Sequence, residues 1–151
     1  MSYAPKVERP VDLYGTTYKV PVNINGAPQT LYVTVNGAEG RPLEVFAVTG
    51  KAGSSIRVMT DCISRLISCQ LQDGVDPERL AEKHLVNMKG GDPVLWPAEQ
   101  TFVLSIPDAL GKALRRWMRQ NPPIGGYKKD EPHEDEDVGE EVAGSDILPQ
   151  K

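Results

Sequence analysis

Near residue 50 the spacing of apolar side chains changes from every second residue to every third or fourth, and that switch fixes the fold class. Over residues 16–22, 30–36 and 43–49, Val, Thr, Tyr and Leu alternate with other residues in the manner of half-buried strands. Asn25-Gly26-Ala27-Pro28 suits a hairpin connection, because glycine supplies positive φ and proline stops ladder pairing. Residues 36–42, punctuated by Gly37, Gly40 and Pro42, read as a longer loop. After it, Ile56, Met59, Ile63, Leu66, Ile67 and Leu71 recur at helical spacing, and Ser54 or Ser55 can cap their helix. The expected class is α+β: an antiparallel β-meander packed against two to three α-helices.

Gly74 closes the first helix, and Asp76-Pro77-Glu78 opens a short second one that ends by Lys89-Gly90-Gly91. Residues 91–100 carry Pro93 and Pro97 and read as a loop, with a short strand over 101–104. Ser105-Ile106-Pro107-Asp108 reads as a capping box opening a helix to about Gln120, closed by Pro122-Pro123. Residues 1–12 then form an irregular arm, 13–124 one domain, and 125–151 an acidic tail. The tail has too little apolar surface to offset its ordering entropy and is expected to be disordered. At 151 residues the chain can bury one core of ordinary size.

Charge is segregated along the chain. Of 17 Lys and Arg and 21 Asp and Glu, residues 130–151 hold nine acids and one base. The body is therefore net positive beneath an overall charge of -4, which points to an anionic partner for the body and a separate role for the tail. No apolar run is long enough to span a bilayer and the N-terminus lacks a secretory signal, so an intracellular protein without a membrane role is expected. Cys62 and Cys69, seven residues apart on one helix and so about 10 Å from each other, are beyond disulfide reach and read as buried thiols.

The residues offer little to catalysis. The two histidines, His84 and His133, fall in a helix and in the tail, so no metal site or nucleophile set is assembled and no enzyme, metal or cofactor is expected. Gly50-Lys51-Ala52-Gly53-Ser54-Ser55 leads from a strand into a helix without Walker spacing; it reads either as a tight turn or as a phosphate contact made by free amides and Lys51. On the last helix Lys112, Arg115, Arg116 and Arg119 face away from Ile106, Leu110, Ala113, Leu114 and Trp117. That basic side is either a solvated face or, with Lys128 and Lys129, a contact for a phosphate backbone or the tail itself. One or two of Tyr14, Tyr18, Tyr32, Phe46 and Trp96 can stack bases if exposed.

Several ungapped blocks add a resemblance. Arg41-Pro42-Leu43-Glu44-Val45-Phe46, the Gly50 to Ser54 loop, Ile63-Ser64-Arg65-Leu66-Ile67-Ser68 and Gly74-Val75-Asp76-Pro77-Glu78 closely resemble the TSCPD domain, over roughly residues 30–120. That family occurs at the C-terminal end of vitamin B12-dependent ribonucleotide reductases and as small free-standing proteins. Where its name motif reads Thr-Ser-Cys-Pro-Asp this chain has Leu104-Ser105-Ile106-Pro107-Asp108, so the resemblance implies the scaffold without the thiol.

In size and acidic tail the chain is also similar to the Drc-type single-stranded DNA-binding proteins of N4-related bacteriophages. That similarity implies a single-stranded DNA binder in the cytoplasm of an infected bacterial host, homo-oligomeric with a tetramer favoured, supporting transcription by a phage RNA polymerase, or replication. It further implies DNA contacts at Arg41, Phe46, Lys51, Ser54, Ser55, Arg57, Arg115, Arg116 and Arg119, and a partner contact at Asp146, Ile147, Leu148 and Pro149. The TSCPD resemblance implies an alternative, an accessory module of ribonucleotide reduction that binds a nucleotide or a reductase subunit. A third reading is an inhibitor whose acidic tail imitates DNA.

Overall fold

The computed structural model describes residues 6–50 and 53–123. Lys51 and the whole acidic tail, with Asp146, Ile147, Leu148 and Pro149, lie outside the described residues.

Three antiparallel strands, β1 (Tyr14–Ile24), β2 (Ala27–Ala38) and β3 (Arg41–Val48), form a meander in the order β1-β2-β3. They are longer than the alternation suggested because both connections are two-residue turns. Asn25 and Gly26 take φ of 52° and 81°, the doubly positive turn whose twist matches that of the flanking strands. Glu39 and Gly40 do the same at 53° and 77°, so the expected loop over 36–42 is instead a tight hairpin with a register shift at Asn36/Gly37. The physical reason is Gly37: a Cβ there would sit 2.1 Å from the Arg41 carbonyl oxygen and 2.5 Å from the Trp117 ring, so only glycine fits between the facing strand and the core tryptophan.

Alternation gives the sheet two faces. Tyr18, Val20, Val22, Ile24, Leu31, Val33, Val35, Leu43, Val45 and Ala47 are buried on one. Across that face lies α3 (Ile106–Gln120), burying Leu110, Ala113, Leu114 and Trp117 in the same core. Burial of this apolar surface, at about 25 cal/mol per Å2, is the main stabilising force.

Helix α1 (Ser55–Gln72) runs alongside the outer edge of β3. Its inward residues are the hydroxylic Thr60 and Ser64, which permit close approach, and the aliphatic Ile67 and Leu71. Ser68 Oγ accepts the Val45 amide at 2.9 Å and shares its proton between the Val45 and Ser64 carbonyls, while Gln72 Nε2 donates to Leu43 O at 3.2 Å. An edge strand is thereby covered by helix side chains rather than left open to pairing. The opposite side of α1 is solvent-facing, so Cys62 and Cys69 are exposed thiols and not the buried ones expected. The physical reason is that α1 carries apolar residues on two sides, and only one of them meets the sheet.

The remaining elements are short. Helix α2 (Pro77–Leu80), capped by Asp76, continues into a wide π turn at Ala81–Leu85 and stops before Lys89. Strand β4 (Val94–Trp96) occupies part of the expected loop and pairs with β5 (Thr101–Val103). In front of β1 the arm is held by Val7, whose amide donates to Gln72 O at 2.8 Å, and by Arg9 paired with Glu44.

Candidate functional site

The Leu104-Ser105-Ile106-Pro107-Asp108 segment sits where β5 turns into α3 and acts there as a knot. Ser105 caps the helix by accepting the Asp108 amide at 3.2 Å and donates its own proton to Met88 O. Asp108 is fully buried. Its Oδ1 accepts the Asn87 amide at 2.7 Å, and its Oδ2 accepts the Leu104 amide at 2.9 Å and the Lys112 ammonium at 2.7 Å. A carboxylate in the first turn of a helix is also favoured by the positive dipole end. Ser105 and Asp108 thus bind α3 to the segment after α2, a structural task that leaves neither side chain available to a ligand. Ile106 stands at the motif's cysteine position, half-buried and packed on the core.

The α3 bases meet acids brought from elsewhere in the chain. Arg115 Nε lies 3.0 Å from Glu82 Oε1. Arg116 Nη1 lies 2.8 Å and Arg119 Nη2 2.7 Å from Glu99 Oε1, and Arg119 also reaches Oε2 at 2.8 Å. The Arg116 guanidinium stands 5.5 Å above the Tyr18 ring and 5.6 Å from that of Trp96, where cation–π attraction adds to the ion pair. Arg116 is consequently a packing element, and the phenol beneath it donates to Gln120 Oε1 at 2.6 Å. Burial pushes the Tyr18 phenol above its ordinary value.

On the other side of the sheet, among the described residues, no helix lies over Thr17, Lys19, Tyr32, Thr34, Phe46 and Val48. Strand register places Lys19 beside Tyr32 and Tyr32 beside Val48, with Thr17, Thr34 and Phe46 in the next row. Tyr32 and Phe46 are diagonal neighbours, 49% and 50% exposed. Of the five aromatics considered from the sequence, Tyr18 and Trp96 are buried in the opposite face and Tyr14 stacks on Trp117 at 5.8 Å, which leaves Tyr32 and Phe46 on the open face; Phe102, on β5 away from this sheet, is exposed as well.

Two shallow grooves run where this face meets α1. One is lined by Ala47, Val48, Gly53, Arg57, Val58 and Asp61. The other includes Lys6, Glu44, Phe46, Arg65 and Asp73. The acids there are partly matched, since Arg9 pairs with Glu44 and Arg65 with Asp61 at 2.9 Å. Lys6, Lys19 and Arg57 are the bases that remain around the rings, with Lys51 in the adjoining loop by sequence.

Of the residues expected to touch DNA, Phe46, Ser54, Ser55 and Arg57 therefore fall at one edge of one surface. Ser54 is the helix cap, accepting the Arg57 amide at 3.3 Å, and Ser55 is exposed beside it. Arg41 is half-buried at the β2–β3 turn, at the far end of β3, while Arg115, Arg116 and Arg119 ride on the helix covering the opposite sheet face. Lys19 was not anticipated. Its signal was present in the alternation of β1, where it falls between buried Tyr18 and Val20 and must point to the other face. Among the described residues there is no cluster of three or more His, Cys, Asp or Glu able to hold a metal, and no helix long and apolar enough to cross a membrane.

These features define a small α+β domain with one sheet face closed by a helix and the other open among the described residues. The chain belongs to the TSCPD domain family, which matches residues 2–118. That family is associated with ribonucleotide reductase-related proteins. No curated protein and no solved structure matches the chain.

Proposed function

We propose that the open sheet face binds single-stranded DNA, and that the protein is a non-enzymatic phage factor supporting transcription or replication. The observation that carries this reading is the pairing of half-exposed Tyr32 and Phe46 on an uncovered sheet, ringed by Lys6, Lys19 and Arg57. Bases stack on such rings without sequence preference, at about 1–3 kcal/mol each, while the ammonium and guanidinium groups follow the phosphates. Ser54, Ser55 and the free amides of the α1 N-terminus extend the phosphate track. The acid-rich residues 130–151 compete for the same bases when no strand is bound, and Asp146, Ile147, Leu148 and Pro149 address a polymerase or replication protein.

Fluorescence anisotropy of a labelled oligonucleotide tests this. Binding should favour single strand over duplex, and Tyr32→Ala with Phe46→Ala should weaken it by roughly 30-fold or more if each ring holds one base. Three phosphate contacts should give a slope of log K on log salt of about −2. Affinity unchanged by the double substitution, or equal for duplex, would refute the reading. Family membership favours a second reading, an accessory module of ribonucleotide reduction. It predicts saturable binding of a mononucleotide beside Ser54 and Arg57, with no gain in affinity as an oligonucleotide lengthens.

A further inference from the structure

We propose that the outward side of α1 is a homodimer interface, in which two copies of the helix pack antiparallel about a two-fold axis at residues 63–64. Helix α1 is apolar on both sides. Opposite its buried residues runs a second stripe, Val58, Met59, Cys62, Leu66 and Cys69, at the spacing of a helix-packing seam. Val58, Met59 and Leu66 are 59%, 58% and 61% exposed, and both thiols are exposed as well. An isolated surface leucine needs no explanation, but five such residues in register on one helix mark a surface built to be covered.

The charges beside the stripe identify a second copy as the cover. Asp61 and Arg65 lie along one flank, their side chains 53% and 77% exposed. In a two-fold antiparallel pair the same flank of both helices meets, so Asp61 faces the partner's Arg65 and Arg65 faces the partner's Asp61. The ion pair within each helix then becomes a network of four alternating charges. Parallel pairing would set this flank against the opposite flank of the partner helix, where Asp61 and Arg65 do not meet their copies.

Three midpoints agree on the register. The helix Ser55–Gln72 and the stripe Val58 to Cys69 are each centred between residues 63 and 64, and the Asp61–Arg65 pair on residue 63. Antiparallel packing also sets the two helix dipoles head to tail. At 18 residues α1 is about 27 Å long, so this band by itself covers less than the roughly 1,200 Å2 of a tight complex. A dissociating dimer, populated at micromolar concentration, follows. The proposal is independent of DNA binding.

Sedimentation equilibrium of the full chain under reducing conditions, without nucleic acid, should show the mass rising with concentration. Leu66→Glu should halve it while the far-ultraviolet circular dichroism stays unchanged, because Leu66 contributes nothing to the core. Asp61→Arg should weaken association, and adding Arg65→Asp should restore it. Thiol oxidation by diamide fixes the direction. Val58→Cys combined with Cys62→Ser should cross-link, since facing Cα atoms in helices whose axes are about 8–10 Å apart fall within disulfide reach. Cys62→Ser alone should not, since its two Cys69 thiols lie roughly 16 Å apart along the antiparallel pair. A monomer at all concentrations, an association indifferent to Leu66→Glu, or cross-linking of Cys62→Ser alone would overturn the proposal.

Discussion

Replacing Asp108 by alanine should cost this domain about 3–5 kcal/mol, the range for breaking a buried ion pair from one side. The figure follows from what the carboxylate holds. Its removal strips an acceptor from the Asn87 and Leu104 amides and leaves the Lys112 ammonium, whose side chain is only 10% exposed, with Phe102 O as its remaining partner. Each abandoned buried donor costs about 1–3 kcal/mol, and the losses overlap because all three groups sit at one site. Lys112→Met should be milder, about 1–2 kcal/mol, because the carboxylate keeps both amides and the helix dipole. Against a total stability of about 5–15 kcal/mol, Asp108→Ala takes a large share while Lys112→Met is tolerated. Urea unfolding followed by the fluorescence of the two buried tryptophans, Trp96 and Trp117, measures both, with an unchanged m-value required for the comparison. If Asp108→Ala cost less than 1 kcal/mol, or no more than Lys112→Met, the knot at the start of α3 would not be what holds the preceding segment in place.

Other perturbations test separate parts of the structure. Gly37→Ala should destabilise by about 1–3 kcal/mol through clashes with the Arg41 carbonyl and the Trp117 ring, read as a fall in the urea midpoint. Because burial raises the Tyr18 phenol, the protonated side chain's contribution is intact below about pH 10 and is lost as the pH climbs through the raised value; Tyr18→Phe should flatten that alkaline decline in a thermal-melt series. Lys19→Ala should weaken binding of a single-stranded oligonucleotide several-fold, whereas Arg119→Ala, on the far side of the sheet and paired with Glu99, should leave it near the wild-type value. A chain ending at Lys129 should bind the oligonucleotide more tightly than the full chain if the acidic segment competes for the same bases.

Much of the fold was legible because it is written locally. Alternation over 16–22, 30–36 and 43–49 located the three strands, Asn25-Gly26 located their first turn, and the Ser54-Ser55 pair, Asp76 and Ser105 marked the helix starts, where the side chains of Ser54, Asp76 and Ser105 form the caps. These signals act between residues a few positions apart, so one stretch of chain contains both cause and effect. The hairpin at Glu39-Gly40 escaped because a glutamate at positive φ is uncommon, and its enabling contact, Gly37 under Trp117, spans eighty residues. Strand β4 escaped because its partner β5 lies beyond a turn framed by Pro97 and Gln100.

The candidate site was half legible for the same reason. Alternation alone assigns Lys19, Tyr32, Phe46 and Val48 to one side of the sheet and Tyr18 and Val33 to the other, but it cannot say which side a helix will cover. Docking of α3 through Leu110, Leu114 and Trp117 decided that, and so made Tyr18 a core residue and Phe46 an exposed one. The run of bases from Lys112 to Arg119, acid-free in sequence, is matched in space by Asp108, Glu82 and Glu99. Period, caps and turns were thus determined by the sequence itself, since they depend on neighbours along the chain. Which charges are spent and which rings stay open was decided only by tertiary packing, since Coulombic pairing and burial depend on distance in space.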